Sequence, residues 1–217
     1  MDECKFSQAD KTEVLIFGIY RQLKKCSLTS INVAGVDVPV QTKSVRNLGV
    51  LFDCCMTMSD QVSSVISTTS FHIRNISKIR KHLTTDAAKK LVNAVVTSRL
   101  DYANAVLAGM AGGEMKRLQK IQNSAARVIS GRGKFDHISD VCRDLHWLPI
   151  THRIDFKIAV LTFKCIHGNA PDYLKELLTV QENTRALRSD NAGIVLCFPK
   201  SKLPTCGDIS FYVKSVE

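Results

Sequence analysis

The sequence predicts an α+β fold that is mainly α: a small N-terminal β-sheet, then a basic helical bundle, then a C-terminal helical segment. The first 53 residues hold short runs of β-branched and aromatic residues, which are typical of strands. Beyond them, apolar residues recur at the three- and four-residue spacing of amphipathic helices. The 217 residues are 45% hydrophobic, which is enough for one or two small domains with real cores. We predict segments at 1–55, 56–135 and 136–217.

The first segment is expected to form one small sheet of three or four strands. Residues 13–20 are an apolar run, and residues 45–52 are another. Between them, alternating apolar residues around Ala34-Gly35 predict a β-hairpin, with Pro39 near an edge. The side chains of the run 45–52 that are expected on one side are Leu48, Val50 and Phe52.

The second segment is expected to contain three helices that bury their apolar faces against each other. The first helix carries a basic stripe opposite its apolar face. Thr84 or Thr85 can cap the second helix, and the glycines at 109, 112 and 113 are expected to end it. The third helix has an apolar floor around Leu118 and a basic outer face.

Positive charge is concentrated in residues 72–134. Thirteen basic residues there face only three acidic ones, so this stretch carries +10, which equals the net charge of the whole chain. The rest of the chain is therefore electrically neutral. A basic helical surface of this kind is typical of a protein that contacts a phosphate backbone.

Helical spacing places seven of these basic residues on outer faces or in the following loop. The candidate nucleic-acid-binding residues are Arg74, Lys78, Lys81, Lys116, Lys120, Arg127 and Arg132. An ordinary solvated face is the alternative, but such a face usually mixes both signs of charge. Tyr102 is the only aromatic residue of the stretch, which favours phosphate contact along a duplex over stacking on bases.

The third segment is expected to be helical up to residue 178 and loop-rich from residue 179 onward. A short helix is expected at 138–145, and residues 147–149 interrupt it. Thr151 is expected to cap a longer helix that reaches about His167 and, being apolar nearly all round, should be buried. Asp172 is expected to cap a last short helix. The first segment opens on a sheet without a covering layer and the last stops without a terminal element, so we expect the chain to be part of a longer protein.

Several segments together resemble a known family, in the same order along the chain. They are DKTEVLIFG (10–18), VRNLGVLFD (45–53), SRLDY (98–102), HWLPI (146–150) and GNAPDYL (168–174). Their pattern is similar to the C-terminal part of LINE-type reverse transcriptases, the enzymes of non-LTR retrotransposons. The resemblance implies the end of the palm, the thumb and the helical segment that follows it.

The resemblance also implies roles for individual residues. The Leu48-Gly49-Val50 turn would correspond to the primer grip, and Lys11 would match a palm lysine that assists the leaving pyrophosphate. The basic helices would correspond to the thumb, which lies along the template–primer duplex. The missing palm and fingers of the parent polymerase are then possible partners of this chain.

The sequence lacks the acidic residues that polymerisation needs. Such enzymes hold two metal ions with palm aspartates, including an Ala-Asp-Asp motif, and no Asp-Asp pair occurs here. We therefore expect no enzymatic activity from this chain alone, no cofactor and no metal site. A zinc site built from His137, Cys142, His146 and His152 fits no common ligand spacing.

The expected function is weak, sequence-independent binding of RNA or DNA duplexes. The alternatives are a helical protein-interaction module and a retroelement relic without function. No apolar run is long enough to span a membrane, and the N-terminus has no signal-peptide core, so an intracellular protein of the nucleus or cytoplasm, not a secreted one, is expected. The eight cysteines are then expected to be reduced.

Overall fold

The computed structural model describes residues 12–33, 35–180 and 196–197 of the chain. It confirms the predicted class, because helices dominate and the sheets have only two or three strands. The chain divides into two compact units, Met1–Ser67 and Thr68–Glu217. The three predicted segments stay a prediction. Most of the predicted loop-rich tail, residues 181–195 and 198–217, lies outside the described part.

Unit 1 contains a three-stranded sheet. Strands β1 (Val14–Leu15), β2 (Ser30–Val33) and β3 (Val36–Gln41) lie in the order β1-β3-β2, with β1 parallel and β2 antiparallel to β3. The predicted run 13–20 supplies only the two residues of β1. The backbone N–H of Gly18 donates to the Cys54 carbonyl at 3.0 Å, and helix α1 (Tyr20–Leu23) follows.

The predicted hairpin joins β2 to β3. The Asn32 side chain fixes it, because its Oδ1 accepts from Gly35 N at 3.1 Å and its Nδ2 donates to Asp37 at 2.9 Å. Pro39 lies in β3, which is the middle strand and not an edge. Its neighbour Val40 donates to Thr29 on the β2 side. Successive residues of a strand direct their backbone nitrogens to opposite sides, so the Pro39 nitrogen faces β1. Pairing with β1 begins only at Val40, and Pro39 therefore costs the sheet no hydrogen bond.

The run 45–52 is two strands, not one. Strands β4 (Val45–Asn47) and β5 (Val50–Phe52) form an antiparallel hairpin. Leu48 (φ 47°) and Gly49 (φ 83°) form its two-residue turn, and both have the positive φ that matches the twist of the strands. Leu48 is 85% exposed while Val50 is 4% exposed, so the prediction that they share one side is wrong.

Asp53 organises the connection from β5 to helix α2 (Ser59–Ile79). Its carboxylate accepts from the backbone N–H groups of Cys55, Thr57 and Met58 at 2.7–3.1 Å and from the Thr57 hydroxyl at 3.0 Å. This network holds Met58 at a positive φ of 57° immediately before the helix. Gln61, in the first turn, is buried and accepts from the Leu51 N–H at 3.0 Å.

The predicted second helix is a series of shorter elements. Thr84 caps α3 (Thr85–Val92) as predicted, by accepting from Ala87 N at 3.2 Å. A π-helical turn (Asn93–Thr97), α4 (Ser98–Asp101) and a 3₁₀ turn (Asn104–Leu107) follow. The helix therefore ends at Asp101 and not at Gly109, because Tyr102 is extended and Ala103 has a φ of 51°.

Helix α5 (Gly112–Ser130) is amphipathic and packs its apolar face inside unit 2. Gly112 and Gly113 begin it and do not end the preceding helix. Gly131 terminates it with a φ of 71°, a conformation that glycine adopts without strain. The fully buried positions of this helix are Leu118, Gln122, Ala125, Ala126 and Ile129.

Three helices follow: α6 (Ser139–Asp144), α7 (Ile150–Ile166) and α8 (Asp172–Lys175). Thr151 does not cap α7. Pro149 is its N-cap, and the N–H of Ile150 donates across to the Gln119 side chain at 2.9 Å. The prediction that α7 is buried all round is also wrong, because one face carries Phe156 and Phe163, which are 62% and 58% exposed.

Candidate nucleic-acid interface

The basic stripe at the end of α2 lies at the surface. Arg74 and Lys78 in α2, and Lys81 in the 3₁₀ turn that follows (Arg80–His82), are all exposed. The opposite face is buried through Ile73 and Ile76. Within the described residues none of the three basic side chains forms an ion pair, so their charges face solvent.

Helix α5 presents Lys116 and Lys120 in the same way. Both are exposed, and neither has an acidic partner in the part of the chain that the structure describes. Arg127, predicted on the same face, is half-buried and donates to the Asp136 carbonyl at 3.3 Å. Its Nε is buried and has no hydrogen-bond partner among the described residues. Arg127 is therefore less available to a ligand than the two lysines.

Arg132 is exposed, but its guanidinium is already bound by groups of the chain itself. Its guanidinium donates to both carboxylate oxygens of Asp140 at 2.7 and 2.6 Å and to the His137 carbonyl at 2.7 Å. The hydrogen bond and charge of Arg132 hold the pKa of Asp140 below its usual value, and Asp140 raises the pKa of Arg132. A phosphate would have to compete with this bidentate pair.

Arg80 has a structural role that the sequence analysis missed. Its guanidinium donates to the carbonyls of Val128 and Ile129 in the last turn of α5 at 2.8 and 2.7 Å. It also donates to the Leu83 carbonyl at 2.8 Å. The last carbonyls of a helix have no partner within the helix, and a cation there is favoured by the helix dipole. Arg80 therefore fixes the C-terminal end of α2 against that of α5, and the two basic stripes belong to one unit.

A second arginine joins two of the segments on which the family resemblance rests. Arg153 Nη1 donates to both oxygens of Asp101 at 2.8 and 2.7 Å, and its Nε donates to the Leu148 carbonyl at 3.0 Å. The buried Gln122 donates to the same carbonyl at 2.8 Å and accepts from Gln119 at 2.9 Å. Gln122 lies on the apolar face of α5. A polar residue in such a position indicates, from the sequence alone, that its side chain has a hydrogen-bond partner in another part of the chain.

The other predicted site residues lie in unit 1 or outside the described residues. Leu48 and Gly49 form the exposed β4–β5 turn, and Val50 is buried directly after it. This geometry offers a projecting turn on a small hairpin. Lys11 lies outside the described residues.

The structure also bears on cysteines, metals and membranes. The six cysteines in the described ranges form no disulfide with one another, and burial raises the pKa of Cys142. Among those same residues, no three His, Cys, Asp or Glu side chains are grouped so that they could hold a metal ion. No described helix has both the length and the apolar character needed to cross a membrane.

Comparisons of the chain with protein-family models, curated proteins and solved structures find no match. The family resemblance therefore stays a prediction from the quoted segments.

Proposed function

We propose that this chain binds nucleic-acid duplexes through their phosphate backbones, without sequence preference, using the basic faces of α2 and α5. The observation that carries the proposal is a set of five exposed basic side chains that have no acidic partner among the described residues. These side chains are Arg74, Lys78, Lys81, Lys116 and Lys120. Flexible, unpaired cations of this kind release counterions from DNA or RNA when they bind.

Arg127 and Arg132 have a smaller part in this proposal than the sequence alone predicts. Both already donate to groups of the chain itself, so binding a phosphate would cost them existing hydrogen bonds. The resemblance of the basic helices to a reverse-transcriptase thumb supports the same partner. We propose on that ground that the chain is of non-LTR retrotransposon origin.

Replacement of single charges tests this proposal. Each phosphate contact contributes about 0.9 to the slope of log K against log [salt], called the salt slope. One contact therefore strengthens binding roughly eightfold at 0.1 M salt compared with 1 M salt. Lys120→Gln should lose about this factor for duplexes of any sequence. The matched control is Lys24→Gln, an exposed lysine in a part of the chain without a net charge excess. Equal losses in the two variants would contradict the proposal.

The proposed origin does not imply polymerase activity for this chain alone. Nucleotide transfer needs two metal ions held by aspartates, and the sequence has no Asp-Asp pair. Purified protein should therefore fail to extend a primer with either Mg²⁺ or Mn²⁺. Extension above the level of a buffer control would contradict this prediction.

A protein-interaction module is the second candidate function. It is favoured by a cavity of about 870 Å³ beside α7, whose apolar lining includes Met110, Met115, Ile154 and Ile158. Apolar docking depends little on salt, whereas phosphate binding weakens steeply as salt rises. Salt dependence therefore separates the two candidates.

A further inference from the structure

The outer face of α7 carries two exposed aromatic rings that the duplex proposal does not use. Phe156 is 62% exposed and Phe163 is 58% exposed. They are seven positions apart in the sequence, so they lie on the same side of the helix, about 10 Å apart along its axis. Three base steps of a stacked strand cover about the same distance, since the rise per nucleotide within one strand is about 3.4 Å.

A lysine directly follows each of these rings. Lys157 and Lys164 are exposed, and neither is ion-paired in the described part of the chain. The exposed Ala159 lies between the rings, and its small side chain does not project above the helix surface there. Asp155 lies on the side of the rings opposite the two lysines, and its Oδ2 is 3.7 Å from Nδ1 of His152. The face therefore has two rings in line with a basic flank on one side.

The second ring is already stacked within the protein. Phe163 and His167 lie with ring centroids 3.9 Å apart and an angle of 25° between their planes. The Nδ1 atom of His167 is 2.9 Å from the Phe163 carbonyl oxygen, which holds the imidazole in place. A planar group that stacks on this pair meets a surface whose orientation is already fixed.

The first ring forms a wall of a pocket of about 320 Å³. This volume is at the lower end of the range for small-ligand sites. The pocket is also lined by Leu148, Lys157 and Asn104. Asn104 is 5% exposed, and its Oδ1 has no hydrogen-bond partner within the described residues. A donor that enters the pocket, such as the N3–H of thymine or uracil, would give this oxygen the hydrogen bond that it lacks.

We propose that the outer face of α7 binds single-stranded nucleic acid, with bases stacked on Phe156 and Phe163 and phosphates at Lys157 and Lys164. The base beside Phe156 enters the pocket and reaches Asn104. Base–aromatic stacking combined with a basic flank is the common mode of single-strand binding. The regular alternation of ring and lysine favours this occupant over a protein, because an apolar docking face gains nothing from two unpaired ammonium groups.

Binding of a labelled 12-nucleotide oligothymidylate, followed by fluorescence anisotropy, tests this proposal. Phe156→Ala and Phe163→Ala should each weaken binding by about 5- to 150-fold. Phe156→Trp should keep the affinity, whereas Phe156→Leu, which keeps an apolar side chain without a ring, should lose it. Lys157→Gln should reduce the salt slope by about 0.7. The matched control is Phe135→Ala, because Phe135 is 91% exposed and also has a lysine beside it.

The outcomes that would overturn this proposal are specific. Unchanged oligothymidylate affinity in both alanine variants would refute it, and so would an equal loss in the Phe135 control. Retained affinity in Phe156→Leu would indicate apolar docking and would also refute stacking. Because both rings are exposed, all variants should keep the wild-type circular dichroism spectrum. Duplex affinity should be unchanged in the two alanine variants and reduced in Lys120→Gln, so the duplex and single-strand proposals can fail independently.

Discussion

Replacing Arg80 separates the structural part of the basic surface from the part proposed to bind nucleic acid. Arg80→Gln removes a guanidinium whose three shortest hydrogen bonds, 2.7–2.8 Å long, all end on carbonyl oxygens. Two of these carbonyls belong to the last turn of α5. In the variant they lose both their donor and the nearby positive charge.

The expected loss of stability is about 2–4 kcal/mol. A partly buried carbonyl left without a partner costs about 1–3 kcal/mol, and water can replace the donor where the site is open. Loss of a cation from a helix C-terminus adds about 0.3–1 kcal/mol. Small proteins have a total stability of only about 5–15 kcal/mol, so this loss is readily measured.

Urea unfolding followed by circular dichroism at 222 nm measures this effect. The matched control is Lys81→Gln, the next residue, which is exposed and carries the same charge. It should change stability by less than about 0.5 kcal/mol. Arg80→Lys should be nearly as destabilising as Arg80→Gln, because an ammonium cannot reproduce the forked geometry.

The converse result would refute this reasoning. If Arg80→Gln kept the stability of the wild type and lost duplex affinity to the same extent as Lys81→Gln, Arg80 would belong to the binding surface. The assignment of charges to structural and binding roles would then be wrong.

Two further predictions concern the ion pairs of Arg153 with Asp101 and of Arg132 with Asp140. Asp101→Asn should destabilise unit 2 by about 1.5–3 kcal/mol in urea unfolding, because Arg153, whose side chain is only 15% exposed, loses the carboxylate that its Nη1 contacts; an unchanged midpoint would contradict this. Arg132→Gln should raise the pKa of Asp140 toward its ordinary value near 3.9, as followed by NMR titration of the carboxyl carbon. Because the pKa of Asp140 is lowered in the folded protein, the stabilisation that this pair provides is present above about pH 4 and is lost as pH falls through the folded pKa. An Asp140 titration that does not move in the variant would contradict the second prediction.

Periodicity predicted the helices well where one face is apolar and the other charged. In α5, Leu118 and Ala125 are buried and Lys116 and Lys120 are exposed, as their spacing indicates. The Thr84 cap was also predictable, because the hydroxyl and the N–H that it accepts from are three residues apart. Such local signals need no knowledge of the tertiary structure.

Long-range contacts determined the features that the sequence did not predict. The start of α7 depends on Gln119, 31 positions before Ile150, and not on Thr151 in its own first turn. Arg80 lies between Lys78 and Lys81 and carries the same charge as they do, and only its contacts with the carbonyls of α5 separate its role from theirs. The β4–β5 turn is a local exception: Gly49, a residue that strands disfavour, interrupts the run 45–52, and the positive φ of Leu48 and Gly49 makes the run a hairpin.

The salt dependence of duplex affinity tests the central proposal most directly. If all five exposed side chains contact phosphates, the slope of log K against log [salt] for the wild type should be about −4 to −5. A variant with Gln at positions 74, 78, 81, 116 and 120 should lose about four to five units of this slope and keep its helical spectrum. A variant with Gln at the exposed positions 24 and 25 should keep the wild-type slope. A wild-type slope near zero, or an equal slope in the five-site variant, would contradict phosphate binding by α2 and α5.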